Sequence, residues 1–175
     1  MKKYIFSELF EQYQQPLFSY LLQMSRNKQV AEELLQETFY RAMISLKVKN
    51  IVQAKAWLFK VARNLYIDST RKLKSEQRMM DRVQMELTTV SNIGNPEAAL
   101  EQKSRQEHIE QILEMLPERM QTIIYLREIQ AFTYKELAAA MDLTESQVKV
   151  ILHRARAKFR YYDQILEGGN RNEER

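Results

Sequence analysis

The 175-residue chain contains no cysteine. That excludes a disulfide framework and a thiolate metal site, and makes a reducing, cytoplasmic location the expectation. Glycine and proline are scarce, three of each, while Leu, Glu, Gln, Lys, Arg and Met are abundant. Such a composition points to an all-α protein. No apolar run approaches the ~18 residues needed to cross a bilayer. The opening stretch MKKYIFSELFEQY has its apolar residues interrupted by Ser7 and Glu8, so it does not read as a secretory signal. There is no glycine-rich phosphate loop and no nucleophile paired with a histidine. The two histidines, His108 and His153, fall on different predicted helices without metal-ligand spacing. No enzyme, cofactor, metal or small-molecule substrate is expected.

What the chain does have is a patterned charge. Residues 47–82 hold 10 basic and 3 acidic side chains, residues 83–146 hold 5 and 11, and residues 147–162 hold 5 and none. Two basic blocks flank an acidic middle, a pattern suited to two contact zones on one polyanion.

The second block lies in TYKELAAAMDLTESQVKVILHRARAKFR, residues 133–160. Thr133 precedes Glu136 by three residues, and Thr144 precedes Gln147 by three. Each pair fits a capping box, in which two side chains satisfy orphan helix N–H groups reciprocally. The spacing predicts a short helix over Tyr134 to Met141, a turn at Asp142 and Leu143, and a second helix: a helix-turn-helix. On the second helix Val148, Ile151, Leu152, Ala155 and Phe159 recur at three- and four-residue spacing and should pack inward. The other side carries Ser146, Lys149, Val150, His153, Arg154 and Ala157, with Arg156, Lys158 and Arg160 widening the positive field. A purely solvated face has no use for Val150. In a DNA major groove, valine meets a thymine methyl while arginine reads guanine.

Earlier in the chain, apolar spacing predicts a helix from Phe6 to Met24, with Pro16 expected to kink or restart it. A second helix, Val30 to Leu46, should turn Ala31, Leu34, Leu35, Thr38, Phe39, Ala42, Met43 and Leu46 inward. Glu33, Gln36, Glu37, Tyr40 and Arg41 lie on its other side, which spacing alone assigns to solvent. Lys47 to Ala54 should be a loop. In the segment that follows, Trp57, Leu58, Val61, Leu65, Ile67 or Asp68, and Leu73 can line a core. Lys55, Lys60, Arg63, Arg71, Lys72 and Lys74 should stay outside. Cations interleaved with Trp57, Phe59 and Tyr66 suit single-stranded DNA, where bases stack on aromatic rings above a positive groove. The same rings serve equally as core. Asn64 either bonds a base edge or caps a following helix.

Residues 83–95 lose the helical period and read as a flexible linker. Asn95-Pro96 should start an acidic helix with Leu100, Ile109, Ile112 and Leu113 or Leu116 inward. Pro117 should start the next, with Ile123, Ile124, Leu126 and Ile129 beneath the helix-turn-helix. His108 reads as a surface residue. Gly168-Gly169 should end the last helix, leaving a frayed tail at 168–175. The expected architecture is therefore two small helical domains, 1–82 and 96–167.

Three blocks in this order resemble bacterial sigma factors of the extracytoplasmic-function (ECF) group of the sigma-70 family. AEELLQETFYRAM is similar to their second-region helix, and AWLFKVARNLYIDSTRK to their promoter-opening segment. The fourth region is matched by LPERMQTIIYLREIQAFTYKELAAAMDLTESQVKVILHRARAKFR. The resemblance implies a subunit that binds RNA polymerase core and directs it to promoter DNA. It assigns Glu33, Gln36, Glu37 and Tyr40 to the polymerase, reversing the solvent reading. It assigns the loop Lys47–Ala54 (with Lys47, Lys49 and Asn50), the stretch Phe59, Lys60, Arg63, Asn64 and Arg71, and Asn64 above all, to the minus-10 element. Ser146, Lys149, Val150, His153, Arg154, Arg156 and Lys158 go to the minus-35 element. An anti-sigma factor is implied as a further partner. Asp142 stands where the family usually has Gly, and Val150-Ile151 where it usually has Ser-Arg. An ordinary repressor or activator with a C-terminal helix-turn-helix, and an interaction adaptor with basic surfaces, remain as alternatives.

Overall fold

The computed structural model describes residues 2–45, 51–80 and 98–173. All the described elements are helices: α1 Lys2–Ser25, α2 Lys28–Ser45, α3 Ile51–Met80, α4 Ala98–Met115, α5 Glu118–Ile124, α6 Tyr134–Met141 and α7 Glu145–Glu173. A π-helical turn, Tyr125–Ile129, follows α5 directly.

Helices α1 to α3 form the first group. Leu9, Tyr13, Leu17, Tyr20 and Leu21 of α1 are buried against Ala31, Phe39 and Ala42 of α2 and Ala54, Leu58 and Ala62 of α3. Asn27 starts α2, its Oδ1 accepting the Val30 N–H at 3.1 Å. Arg26 before it takes the left-handed conformation, φ 53°. Helix α1 runs unbroken through Pro16. The buried residues on either side of Pro16 hold the helix against a cost of roughly 3 kcal/mol for an interior proline.

The second group packs α5 on α7 and α6 on α7. Ile123, Ile124, Leu126, Leu137, Ala140, Met141, Val148, Leu152 and Ala155 form its centre, with Ile112 and Leu113 of α4 and Leu116 just after it also buried. The helix-turn-helix has the bounds its capping boxes specify. Thr133 N–H donates to the Glu136 carboxylate at 2.8 Å, and Glu136 N–H to Thr133 Oγ1 at 3.1 Å. Thr144 and Gln147 exchange the equivalent pair at 2.9 and 3.1 Å. Asp142 ends α6 in the left-handed conformation, φ 53° and ψ 49°, one that Asp tolerates and that glycine more often fills.

The two groups share one core. Tyr20 and Phe59 of the first lie against Tyr125 and Phe132 of the second, and α3 packs along α6. The π-turn helps to bring this about. Gln130 N–H reaches back to the Tyr125 carbonyl at 3.2 Å and Phe132 N–H to Leu126 at 2.9 Å. Ala131 in the left-handed region then turns the chain so that the Phe132 ring is fully enclosed.

Several expectations need correction. The extra residue of the π-turn rotates Ile129 off the inner face, and it is exposed. Ile109 lies beside it on an open groove with Phe18 and Leu22. Met43 is 62% exposed, because Phe39 and Ala42 already fill the α2 contact. Leu73 is exposed where α3 projects beyond its partners, every residue from 71 to 79 facing solvent. Ile51 to Ala54 belong to α3 rather than to a loop, with Ala54 buried. Helix α7 continues through Gly168 and Gly169 to Glu173, neither glycine taking the positive φ that ends a helix. The linker 83–95, the Asn95-Pro96 start and Leu46 lie outside the described residues.

Candidate nucleic-acid and polymerase interfaces

On α7 the capped N-terminus and the buried stripe of Val148, Leu152 and Ala155 fix which side turns outward. Ser146, Lys149, Val150, His153 and Arg154 are all exposed on that side, as the periodicity predicts. Val150 keeps 48% of its surface open. Arg154 makes no ion pair with any described residue, leaving its guanidinium available. The Lys149 ammonium sits 6.0 Å from the Tyr134 ring. Ser146, Val150 and Arg154 line a shallow hollow of about 320 Å³ together with Arg119, which enters from the first turn of α5. Periodicity could not find Arg119, since its place beside α7 depends on how α5 crosses it. An apolar patch with cations on its rim, on a helix of a helix-turn-helix, has the shape and charge to enter a major groove.

Two members of the predicted set differ. Arg156 is half-buried and bonded to Glu128, its Nε donating at 2.9 Å, and that hydrogen bond raises its pKa above the usual guanidinium value. Its charge is therefore already partnered. Lys158 is half-buried too, its ammonium 5.9 Å from the Tyr162 ring.

The basic stretch of α3 is less open than its composition suggests. Asn64 and Arg71 are exposed. Asn64 lies in the interior of α3, no helix starts after it, and the capping alternative falls away. Phe59 is 1% exposed, so its ring is not presented to bases. It packs edge-on to Phe132 at 4.9 Å, because the apolar side of α3 is spent on α6. Lys55, Lys60 and Arg63, expected in solvent, each meet a carboxylate of the second group. Lys55 Nζ donates to both Glu136 oxygens at 3.3 Å. Lys60 donates to Asp142 at 2.7 Å. Arg63 grips Glu118 with two bonds, 2.7 and 2.9 Å. Burial works against the Arg63 charge, but Glu118 outweighs it and the pKa is raised. Glu118 also accepts the Thr122 hydroxyl at 2.9 Å, and Thr122 bonds the Tyr20 hydroxyl at 3.0 Å. Full burial pushes the Tyr20 phenol well above its ordinary pKa, keeping it neutral. The acidic middle of the sequence foreshadowed these carboxylates, although no local pattern indicated their partners. Lys47, Lys49 and Asn50 lie outside the described residues.

On α2 the polar side is displayed as the spacing predicts. Glu33 and Tyr40 are exposed, and Glu37 accepts from Arg41 at 2.8 Å. Gln36 shares that side. Met43 and Ile44, both exposed, extend it with an apolar end that the sequence reading had turned inward at Met43. His108 is not solitary, its Nε2 lying 2.7 Å from Asp163 and linking α4 to α7.

Comparison with known proteins agrees with this layout. Residues 9–76 match the family Sigma-70 region 2, and residues 106–159 match Sigma-70, region 4. The chain is 32% identical over 158 residues to the ECF RNA polymerase sigma factor SigM of Bacillus subtilis, covering 87% of this chain and 91% of that protein. It is 29% identical over 165 residues to SigX of the same organism, covering 92% and 84%. Among solved structures, the sigma factor RpoE in complex with the anti-sigma factor NepR from Bartonella quintana superposes with a TM-score of 0.68. That match has 23% identity and covers 89% of this chain and 94% of RpoE, a likeness of fold. With region 2 in α1–α3, region 4 in the helix-turn-helix half and a relative of this identity along its length, the chain belongs to the sigma-70 family, in its ECF group, and is a transcription initiation factor rather than an enzyme.

Proposed function

We propose that the chain attaches to RNA polymerase core through Glu33, Gln36, Glu37 and Tyr40 of α2, and reads a promoter at two separate elements. Asn64 and Arg71 of α3, with Lys60 and Arg63 once they are released, and with Lys47, Lys49 and Asn50, take the minus-10 element. Ser146, Lys149, Val150, His153 and Arg154 of α7 take the minus-35 element, with Arg119 beside them and Lys158 further along the helix. The division of labour corresponds to residues 1–82 and 96–167 joined by 83–95.

The observation that carries this reading is the exposed face of α7. It combines an uncommitted guanidinium with an open valine on a helix whose N-terminus is held by the Thr144–Gln147 capping box. A repressor or activator would need its own dimer surface to span two half-sites. Here the region 2 and region 4 matches fall in separate parts of one chain, which supports two DNA-reading units without a dimer. An anti-sigma factor is proposed as a further partner, supported by the complex in which RpoE was solved. The proposed site of action is the cytoplasm, where the polymerase works. No helix among the described residues is long and apolar enough to cross a membrane.

The test is binding-site selection with core polymerase present, comparing the parent with Arg154→Ala and Asn64→Ala. Each variant should relax preference at one element only, Arg154→Ala upstream and Asn64→Ala downstream. The same preferred sequence from all three proteins would refute the assignment.

A further inference from the structure

The hollow on the outer side of α7 is apolar at its base and cationic at its edge. Leu143, from the turn, and Ile151 are half-buried against the core and form the base. Val150 stands beside them with 48% of its surface open. Arg119 and Arg154 are exposed at the edge. The hollow is set before any DNA arrives. Leu143 N–H donates to the Ala138 carbonyl at 3.0 Å, and the Gln147 side-chain carbonyl accepts Thr144 N–H at 2.9 Å. Turn and helix start are thereby fixed against each other, so little ordering remains to be done on binding.

Three aliphatic side chains offer no hydrogen-bond donor and no acceptor. They cannot answer the groups by which base pairs differ in polarity in the major groove, such as the thymine O4 or the cytosine amino group. What they respond to is bulk and apolar surface at C5 of a pyrimidine. Among the four ordinary bases only thymine carries a methyl there. A cytosine methylated at C5 displays the same group at the same place, and differs from thymine at atoms that an aliphatic wall does not bond. Arg154 stands one turn further along α7, about 6 Å by helix rise, and its guanidinium is free to hold a guanine of a neighbouring base pair. Arg119, entering from α5, suits a backbone phosphate, which positions without carrying sequence.

We propose that the hollow of Leu143, Val150 and Ile151 is a receptor for a pyrimidine C5 methyl group whichever base carries it. 5-Methylcytosine then takes the place of thymine at one position of the upstream element, and methylation of a cytosine there raises the affinity of the polymerase complex for that promoter. This inference rests on the assignment of α7 to the upstream element made above, and gives that site a covalent DNA mark to read.

The experiment is binding-site selection with the full chain and core polymerase on two libraries, one made with cytosine and one with 5-methylcytosine in its place throughout. For the parent, the ratio of cytosine to thymine recovered at one position of the upstream element should rise about four-fold from the first library to the second, the fold-change of one buried methyl. The other positions of that element should keep their ratios. Val150→Ser should give the same ratio in both libraries at every position of the element. Residue 150 is exposed, so this variant should keep the helical circular dichroism and melting temperature of the parent. Competition with a promoter carrying a single 5-methylcytosine at the responsive position should reproduce the four-fold gain for the parent and none for Val150→Ser.

A parent whose ratios are the same in both libraries overturns the proposal. So does a rise that persists in Val150→Ser, because methylation would then act through the shape of the DNA rather than through the hollow. Failure of the underlying assignment has a different signature. If the ratios stay fixed while Arg154→Ala still relaxes the upstream element, α7 reads that element and only the methyl receptor falls. If Arg154→Ala and Val150→Ser both select the parent's sequence from both libraries, the assignment of α7 falls as well.

Discussion

Replacing one thymine of the upstream promoter element by deoxyuridine removes a single methyl group from the major groove and alters nothing else on the base edge. The structure gives the size of the effect. Burying a whole valine side chain is worth about 1.5–3 kcal/mol. Val150 enters the encounter with 48% of its surface still exposed, so covering the remainder offers roughly 0.7–1.4 kcal/mol. The methyl partner accounts for about 0.8 kcal/mol of apolar contact, close to a four-fold loss of affinity when it is deleted. The assay is competition binding of the polymerase complex on promoters carrying deoxyuridine at each thymine of the element in turn. The parent should lose about four-fold at one position and nothing elsewhere. Val150→Ser should bind the unmodified promoter more weakly and be indifferent to deoxyuridine at that position. A parent that ignores the substitution at every thymine would show that Val150 meets no methyl. Sensitivity that persists in Val150→Ser would assign the contact to another side chain, with Arg119 and Ser146 the neighbours to examine.

Gln36→Ala with Glu37→Lys should abolish core binding in a pull-down while moving Tm by no more than a couple of degrees, since these residues lie away from the α2 core stripe; an unfolded variant would refute that placement. Asn64→Ala should lose about 1–3 kcal/mol of discrimination at one base of the downstream element, measured by competition with variant promoters, and leave the urea midpoint unchanged, because α3 runs through Asn64 without needing a cap. The Phe59 and Phe132 rings join the two halves, so Phe59→Leu and Phe132→Leu should show a coupling of about 0.5–1.5 kcal/mol in a double-mutant cycle by urea unfolding. Additivity within a few tenths of a kcal/mol would mean that the rings do not meet in solution.

The helix-turn-helix was legible almost residue for residue because its signals are local. Each capping box spans four residues, and the alternation of Val148, Leu152 and Ala155 with Lys149, His153 and Arg154 is a property of one helix. The same holds for the polar side of α2. The readings that failed depended on what lay across a junction. Phe59 looked as suitable for stacking on bases as for a core, and Phe132, 73 positions away, settled which. Arg63 and Lys60 looked like free cations because nothing within their own helix opposes them, while Glu118 and Asp142 lie more than 50 residues further on. Ile129 was placed inward by a 3.6-residue period that the π-turn interrupts. Periodicity also cannot weigh the interior proline of α1, where packing on both sides holds a helix that propensity alone would break. Family resemblance contributed what physics could not, namely the proposal that the charged side of α2 meets the polymerase rather than solvent.

Run-off transcription tests the central claim most directly. Core polymerase, the purified chain and a pool of genomic fragments should give discrete transcripts whose start sites share two upstream elements at a fixed separation. Core alone should give none of them. Gln36→Ala with Glu37→Lys should remove all of these transcripts, and Arg154→Ala should change which fragments are used. No defined starts above the background of core alone, or a tight palindromic footprint made by the chain without polymerase, would contradict the account.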